Sequence, residues 1–125
     1  MRRHTERRHI EFHPSPGGAL ERIVTRPDGQ RYTHRCSEAV FTDLARYLDD
    51  HVGQELTCQG VATEIGATYS NVQAGWDLLL ERGMLVDANA KRKQVASGYR
   101  SAFFEHAMTE FYAIIEGHPP EMSSE

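Results

Sequence analysis

The residues best suited to chemistry in this chain are a run of polar side chains at residues 69–74, within a predicted helix. Asn71 and Gln73 carry amides that can pair with the edge of adenine, and Ser70 carries a hydroxyl that can serve any base edge. The methyl group of Ala74 could contact a thymine methyl, and Tyr69 stands at the entry to the helix. These residue types predict recognition of base edges. The alternative is that they are ordinary solvated residues of a helix.

Two short helices and a tight turn must position this run. Thr57 is predicted to cap the first of them, and Gly66 to allow a sharp exit. Thr68 or Ser70 can cap the helix that follows, which Gly83 ends. Inward apolar positions fall three or four residues apart, at Val61 and Ile65 and then at Val72, Trp76 and Leu79. This pattern is typical of a helix-turn-helix, which displays one helix on a small core.

Two blocks of this unit resemble the winged helix-turn-helix transcription regulators, especially bacterial repressors of the MarR-like and ArsR-like kind. Residues 61–68, Val-Ala-Thr-Glu-Ile-Gly-Ala-Thr, look like the signature of their second helix. Residues 79–86, Leu-Leu-Glu-Arg-Gly-Met-Leu-Val, look like the end of their third helix and the start of the first wing strand. The spacing between the blocks matches without gaps. The resemblance covers residues 37–117 and is more specific for the fold than for any one family.

The resemblance implies an α+β winged helix-turn-helix that binds double-stranded DNA as a dimeric transcription regulator. The positions it places against DNA on the third helix are Tyr69, Ser70, Asn71, Gln73 and Ala74. The wing candidate is residues 87–94, with Val95 and Ala96 beginning the return strand. Its tip would lie along a phosphate backbone, and a solubilising turn is the alternative. The cations of this tip, the densest basic cluster outside the N-terminus, are Lys91, Arg92 and Lys93.

The third helix departs from such regulators in its charge. Their outer face commonly carries Arg or Lys, whereas this chain has Ala74, Asp77 and Glu81 there. No basic residue occurs between Arg46 and Arg82. Phosphate neutralisation supplies most non-specific affinity, so this helix alone would bind DNA poorly. Either the wing and the N-terminal arm supply the cations, or the unit is a protein-interaction and assembly module that does not bind DNA.

Charge along the chain is unevenly distributed, although the net value is −4. Residues 1–35 carry eight Arg against four acidic residues, and residues 91–100 carry four basic residues and no acidic ones. Residues 36–90 carry two Arg against nine acidic residues. Positive charge is therefore confined to the N-terminal region and the wing, which suits a small DNA-binding protein with an acidic back.

Composition predicts one soluble domain. The chain has 125 residues, of which 39% are hydrophobic and 26% charged, enough for a modest core. Apolar runs are too short for a transmembrane segment, and the Arg-rich N-terminus has no apolar region behind it, so no secretory signal is expected. Cys36 and Cys58 fit no disulfide framework, which favours a reducing cytoplasm. The predicted parts are a flexible basic arm (1–9), a single domain (10–117) and a tail (118–125).

An N-terminal β region, residues 10–36, is predicted ahead of the helical unit. Strand candidates at 10–13, 20–26 and 31–35 surround a hairpin turn at 27–30. This region is not part of a minimal winged helix, and it is interpreted either as an extra sheet or as a dimer contact. The helix-turn-helix and wing then occupy residues 37–96.

Two longer helices complete the prediction. Ser37 is expected to cap the first, which Gly53 stops, and Ser101 to cap a last helix that ends at Gly117. The last helix, residues 101–117, has an apolar stripe that is wide for so small a domain. We interpret it as a dimerisation helix, the alternative being that it packs back on its own domain. Its candidate interface residues are Phe104, Met108, Phe111 and Ile115.

The sequence favours neither a metal site nor an enzyme. His9 with His13 and His34 with Cys36 are the nearest pairs of metal-binding side chains, whereas a zinc site needs three or four converging ligands. No phosphate-binding glycine loop and no nucleophile–base constellation is evident, so we expect no catalytic residue and no cofactor. An aromatic group near Trp76, Phe104 and Phe111 leaves room for a small-molecule effector.

Overall fold

A computed structural model describes residues 9–117, so the predicted tail and all but the last residue of the predicted arm lie outside the described residues. The fold is α+β, as expected. Its elements, in chain order, are β1 (His9–Ser15), β2 (Ala19–Thr25), β3 (Arg31–Cys36), α1 (Glu38–Asp50), α2 (Cys58–Ile65), α3 (Tyr69–Glu81), β4 (Leu85–Asn89), β5 (Arg92–Val95), a 3-10 helix (Ser97–Tyr99) and α4 (Phe103–Ile115).

The N-terminal region forms a three-stranded antiparallel sheet in the order β1-β2-β3, so all three predicted strands are present and the predicted hairpin, β2 and β3, is extended by β1. Leu20 pairs with Pro14 on one side and Cys36 on the other. At the β2–β3 turn the Asp28 carboxylate accepts from the Gln30 amide at 2.9 Å. Because strand side chains alternate, β2 turns Leu20, Arg22 and Val24 toward the rest of the molecule. Of the two interpretations of this region, the extra sheet is the one seen.

Local capping positions α1 and α2 as predicted. The Ser37 hydroxyl accepts from the Val40 amide at 3.1 Å, and the Thr57 hydroxyl accepts from the Gly60 amide at 3.0 Å. Gly66 leaves α2 in the left-handed region, with φ +74°. Such a φ costs glycine little, which is why the sequence signal was reliable here.

The start of α4 differs from the prediction that Ser101 caps it. The helix begins at Phe103, with Ala102 at its N-cap position and no side-chain cap. The chain turns through the 3-10 helix and its following turn before the helix can start. Asp49 of α1 then accepts from the Phe104 amide at 3.3 Å. A residue distant in sequence therefore satisfies a first-turn amide of α4.

The core joins α1, α3 and α4 at close range. Phe41 of α1 stacks on Phe111 of α4, with 4.7 Å between ring centroids. At Gly75 of α3 an added Cβ would lie 2.8 Å from Phe41 Cδ1 and 3.0 Å from Leu44 Cδ2. Only the absence of a side chain at this position lets α3 pack this closely on α1.

The dimer prediction for α4 needs correction at Phe111. This side chain is fully buried in its own domain, so it cannot form part of a dimer interface. Phe104 is half-buried beneath the Arg46 guanidinium, which lies 4.5 Å from the ring centroid. Met108 and Ile115 are also half-buried and pack against the core. Most of the wide stripe is thus used inside the domain.

The β4–β5 hairpin has a two-residue turn at Ala90 and Lys91, and Ala90 adopts φ +54°. Its return strand begins at Arg92, three residues before the predicted start, because the turn is short and a register irregularity between Asp87 and Asn89 shifts the pairing. Leu56, just before α2, forms an isolated bridge with Lys93 through two backbone hydrogen bonds of 2.8 Å. The hairpin is thereby fixed to the start of the helical unit. None of the helices within residues 9–117 has the length and apolar character needed to cross a membrane.

Candidate functional site

An open cleft of about 740 Å³ lies where the three-stranded sheet, α3 and the β4–β5 hairpin meet, and we call it the α3 cleft. The sheet contributes Ile10, Arg22, Tyr32 and His34. α3 contributes Tyr69, Ser70, Gln73 and Asp77, and the hairpin contributes Lys91 and Lys93. Residues from Ile10 to Lys93, far apart in the chain, therefore build one concave surface.

Five of the eight residues predicted to contact DNA come together in this cleft: Tyr69, Ser70, Gln73, Lys91 and Lys93. The Tyr69 side chain is well exposed and Lys91 is exposed, while Ser70 and Gln73 are half-buried. Asn71 and Arg92 do not line the α3 cleft, although Arg92 is exposed at the hairpin tip. The N-terminal turn of α3 and the basic hairpin thus lie on the same side of the molecule.

The prediction that Ala74 contacts DNA is wrong, because its side chain is fully buried. The helical wheel placed Ala74 on the outward face of α3. In the folded chain the N-terminal sheet covers that face, with β2 and β3 packed against the helix. The first turn of α3 remains accessible to a partner, and so do Leu80 and Glu81 near its C-terminal end.

Arg22 links the sheet to α3 beneath the cleft. Its Nε lies 2.8 Å from Asp77 Oδ2, and the two side chains are only 6% and 15% exposed. The Nε–H is not aligned with any acceptor, so this contact is an ion pair without a well-directed hydrogen bond. Nη1 of Arg22 lies 3.3 Å from His34 Nδ1. Gln73, on the same helix as Asp77, also contacts this carboxylate: its Nε2 donates to Oδ1 at 2.7 Å.

Sequence reasoning missed Arg22 as a site residue, although a signal was present. In a strand with a two-residue period, Arg22 shares a face with Leu20 and Val24, which are both fully buried. A lone arginine on a buried strand face needs a partner, because an unpaired buried charge is costly. The sequence does not reveal that its partner is Asp77, 55 positions away.

A second cleft of about 450 Å³ lies on the other side of Tyr69. It is bordered by Trp76 and by the N-terminus of α2, and it shares Tyr69, Gln73, Lys91 and Lys93 with the α3 cleft. Burial, followed by the nearby Cys58 and Asp77, raises the pKa of Tyr69. Its hydroxyl therefore stays protonated at neutral pH and remains a hydrogen-bond donor. Trp76 borders this cleft, whereas Phe111 is fully buried in the core, so these two rings do not line one pocket.

Hairpin cations differ in their partners. Lys93 Nζ pairs with Asp87 Oδ1 at 2.7 Å, and the Asp87 side chain is 87% exposed. A pair this exposed is weak in water and is easily exchanged for another anion. The hairpin therefore presents positive charge to the clefts despite this contact.

The titratable groups outside the clefts offer little chemistry. Burial raises the pKa of Cys36 and of Cys58 to about 12 each, so both thiols stay protonated and are poor nucleophiles. On β1, His13 and His9 hydrogen-bond to Glu11 at 2.8 and 2.9 Å, and these contacts lower the pKa of that carboxyl. In the described part of the chain, no three His, Cys, Asp or Glu side chains converge as a metal-binding group.

Comparison of the chain with protein-family models, with curated proteins and with solved structures gives no match in any of the three. Its function is therefore inferred from its own residues and their arrangement.

Proposed function

We propose that this protein is a sequence-specific regulator that binds double-stranded DNA through the first turn of α3 and the β4–β5 hairpin. One observation carries the proposal: Lys91 and Lys93 border the same cleft as Tyr69 and Ser70. A cationic hairpin beside the exposed start of a helix can hold phosphates while the helix turn approaches base edges.

The order of the elements supports a winged helix-turn-helix. α1, α2 and α3 are followed directly by the hairpin, and the isolated Leu56–Lys93 bridge connects it to the residue before α2. A hairpin fixed in this way can act as a wing at a defined distance from α3. The covering sheet is the feature that such a unit does not need.

That sheet restricts how DNA would be read. Ala74 is buried and Asp77 is paired with Arg22, so the middle of α3 cannot enter a groove. Base contacts would come from Ser70 and Asn71 in the first turn. Most affinity would then come from phosphate contacts, which position a protein without reading sequence.

Additional cations precede the described residues in the sequence. Residues 1–8 carry four Arg and join the described chain at His9, whose neighbour Ile10 lines the α3 cleft. Four Arg so close in sequence to Ile10 support the same partner, because basic arms can follow a phosphate backbone or a groove.

Salt dependence tests the proposal. Affinity for duplex DNA should fall by roughly 0.9 log units per log unit of salt for each phosphate contact. A variant with Lys91→Ala, Arg92→Ala and Lys93→Ala should weaken binding to all sequences alike and reduce that slope by roughly 2 to 3. Arg100→Ala is the matched control, since Arg100 is exposed but lies outside both clefts. An unchanged slope in the triple variant would remove the proposal.

A protein-interaction module is the second candidate, favoured by a groove of about 290 Å³ beside the C-terminal half of α3. Ile10, Phe12 and Leu80 line it, with the carboxylates of Asp77 and Glu81 at the same place. This combination suits an apolar segment with an adjacent basic residue. Absence of duplex binding at low salt, together with binding of such a peptide that Leu80→Ser abolishes, would favour this function.

A further inference from the structure

We propose that the α3 cleft is a binding site for a nucleoside phosphate, with the base against the tyrosines and the phosphate among Arg22, Lys91 and Lys93. The site does not depend on duplex binding. A nucleoside phosphate can be supplied by a free nucleotide or by an unpaired nucleotide of a strand, and the experiment below distinguishes the two.

Size and construction suit a ligand of this class. A volume of about 740 Å³ falls in the range of roughly 300–1,000 Å³ that is usual for small-molecule sites. The walls come from a sheet, a helix and a hairpin that pack on one core, so the cleft exists without a ligand. Ile10 is the only aliphatic side chain among those that line it, which disfavours an apolar ligand.

The charges of the lining favour an anion. Three cations, Arg22, Lys91 and Lys93, face one carboxylate, Asp77. That carboxylate already accepts from Gln73 and lies against Arg22, so much of its charge is compensated. Two of the three cations are paired, Arg22 with Asp77 and Lys93 with the exposed Asp87, and Lys91 adds a third, so the cleft retains positive charge for a ligand.

Arg22 is the feature that indicates a built site. It is 95% buried, since only 5% of the residue is exposed, and it lines the cleft. Its Nε lies 2.8 Å from Asp77 Oδ2 without the alignment of a hydrogen bond, so this contact is chiefly electrostatic. A planar guanidinium held in place by packing is well suited to phosphate oxygens, which it can contact with two donors.

The start of α3 adds to this preference. The Thr68 side chain makes no capping hydrogen bond, and the Ser70 hydroxyl lies at the cleft. The first-turn amides of a 13-residue helix carry the positive end of its dipole. Phosphate groups bind favourably at such a position.

Aromatic side chains supply surfaces for a base. Tyr69 is 47% exposed and stands between the two clefts. Tyr32, which is half-buried, also lines the α3 cleft; it lies edge-on to His34, with ring centroids 5.5 Å apart, and the Arg26 guanidinium lies 5.7 Å from its ring centroid. Exposed aromatic faces beside lysines are the usual means of holding an unpaired nucleotide. A ligand that has both a planar ring and a phosphate would contact the tyrosines with its ring and the cations with its phosphate.

Titration calorimetry with adenosine monophosphate, adenosine and inorganic phosphate tests this site. Adenosine monophosphate should bind at least tenfold more tightly than either part alone. Trp76, the single tryptophan of the chain, borders the adjoining cleft and gives a second readout by fluorescence. A short single-stranded oligothymidylate identifies the source: tighter binding than thymidine monophosphate indicates a strand, and equal or weaker binding indicates a free nucleotide.

Two variants separate this site from duplex binding. Tyr32→Ala, on the sheet side, should weaken binding of adenosine monophosphate at least tenfold and leave duplex affinity unchanged. Arg92→Ala, outside the lining, should leave nucleotide affinity unchanged and weaken duplex binding. Thermal unfolding of both variants tests whether they fold. If Tyr32→Ala does not fold, Tyr32→Leu replaces it in the binding experiment. The proposal fails if neither nucleotide nor oligothymidylate binds at millimolar concentration, or if a folded Tyr32 variant binds as the parent does, whatever the duplex result.

Discussion

Arg22 of β2 and Asp77 of α3 form a nearly buried ion pair, with 2.8 Å between Nε and Oδ2. This pair ties the N-terminal sheet to the helix face that the sheet covers. It also places a cation beneath the α3 cleft and pairs Asp77, one of the two acidic residues that the sequence suggested for the outer face of α3, whereas Glu81 remains exposed. Both proposals for the protein depend on this arrangement.

Breaking the pair from one side should be strongly destabilising. Asp77→Ala leaves the Arg22 guanidinium buried without its carboxylate, and we expect the free energy of unfolding in urea to fall by about 3 kcal/mol. The double variant Arg22→Met with Asp77→Leu should recover most of this loss, because apolar groups can replace a buried pair. Additive effects of the two single substitutions would show that the pair is not coupled.

Asn71 and Gln73 should differ in their effect on DNA sequence preference. Gln73 donates to Asp77 at 2.7 Å, so its amide is engaged within the protein. We expect Asn71→Ala to change the preferred sequence, at about 1–3 kcal/mol for a lost base contact, and Gln73→Ala to change it less. Selection from random duplexes measures both, and a larger change for Gln73→Ala would contradict the expectation.

Gly75→Ala should destabilise the protein although alanine is the better helix former. The new Cβ would lie 2.8 Å from Phe41 Cδ1, which forces the core apart. We expect the free energy of unfolding, measured in urea, to fall by about 1–3 kcal/mol, as for other overpacked cores. At Gly98 an added Cβ meets nothing within 4 Å, so Gly98→Ala is the control and should change stability little.

Because Phe111 is buried within its own domain, replacing it should lower the free energy of unfolding by the same amount at every protein concentration. Phe111→Ala removes a ring that stacks on Phe41, and we expect it to cost about 3–5 kcal/mol. The proposed homodimer would use only the half-buried margin of α4, at Met108 and Ile115. Light scattering at micromolar concentration tests it: a dimer mass that Ile115→Glu converts to monomer is expected, and monomer alone for the parent chain would exclude it.

Both cysteines should resist modification in the folded protein. Burial raises the pKa of Cys36 and of Cys58 to about 12, compared with about 8.5 for a free thiol. Since the folded pKa is the higher one, the protonated thiols stabilise the fold fully below about pH 8.5, and this contribution is lost as the pH rises toward 12. Reaction with dithionitrobenzoate near pH 8 should be slow in buffer and fast in urea. Rapid reaction of either thiol in buffer would contradict this, and Cys58→Ala shows which one reacts.

The sequence by itself determined the helices, the strands and most of their ends. Ser37, Thr57 and Gly66 act within a few residues of their own positions, through capping hydrogen bonds or a left-handed backbone conformation. The apolar period fixed which face of each helix turns inward. Local signals of this kind are written in neighbouring residues, so one sequence is enough to find them.

Only the tertiary structure decided which element packs against each face of a helix or strand. Periodicity placed Ala74 opposite the apolar stripe of α3, but the N-terminal sheet, which ends at Cys36, covers it. The same packing brings Arg22 to Asp77 and encloses the α3 cleft between β3 and the hairpin. Contacts between distant segments depend on how whole elements dock, and no local pattern encodes that, because the free energy of docking is shared among many side chains at once.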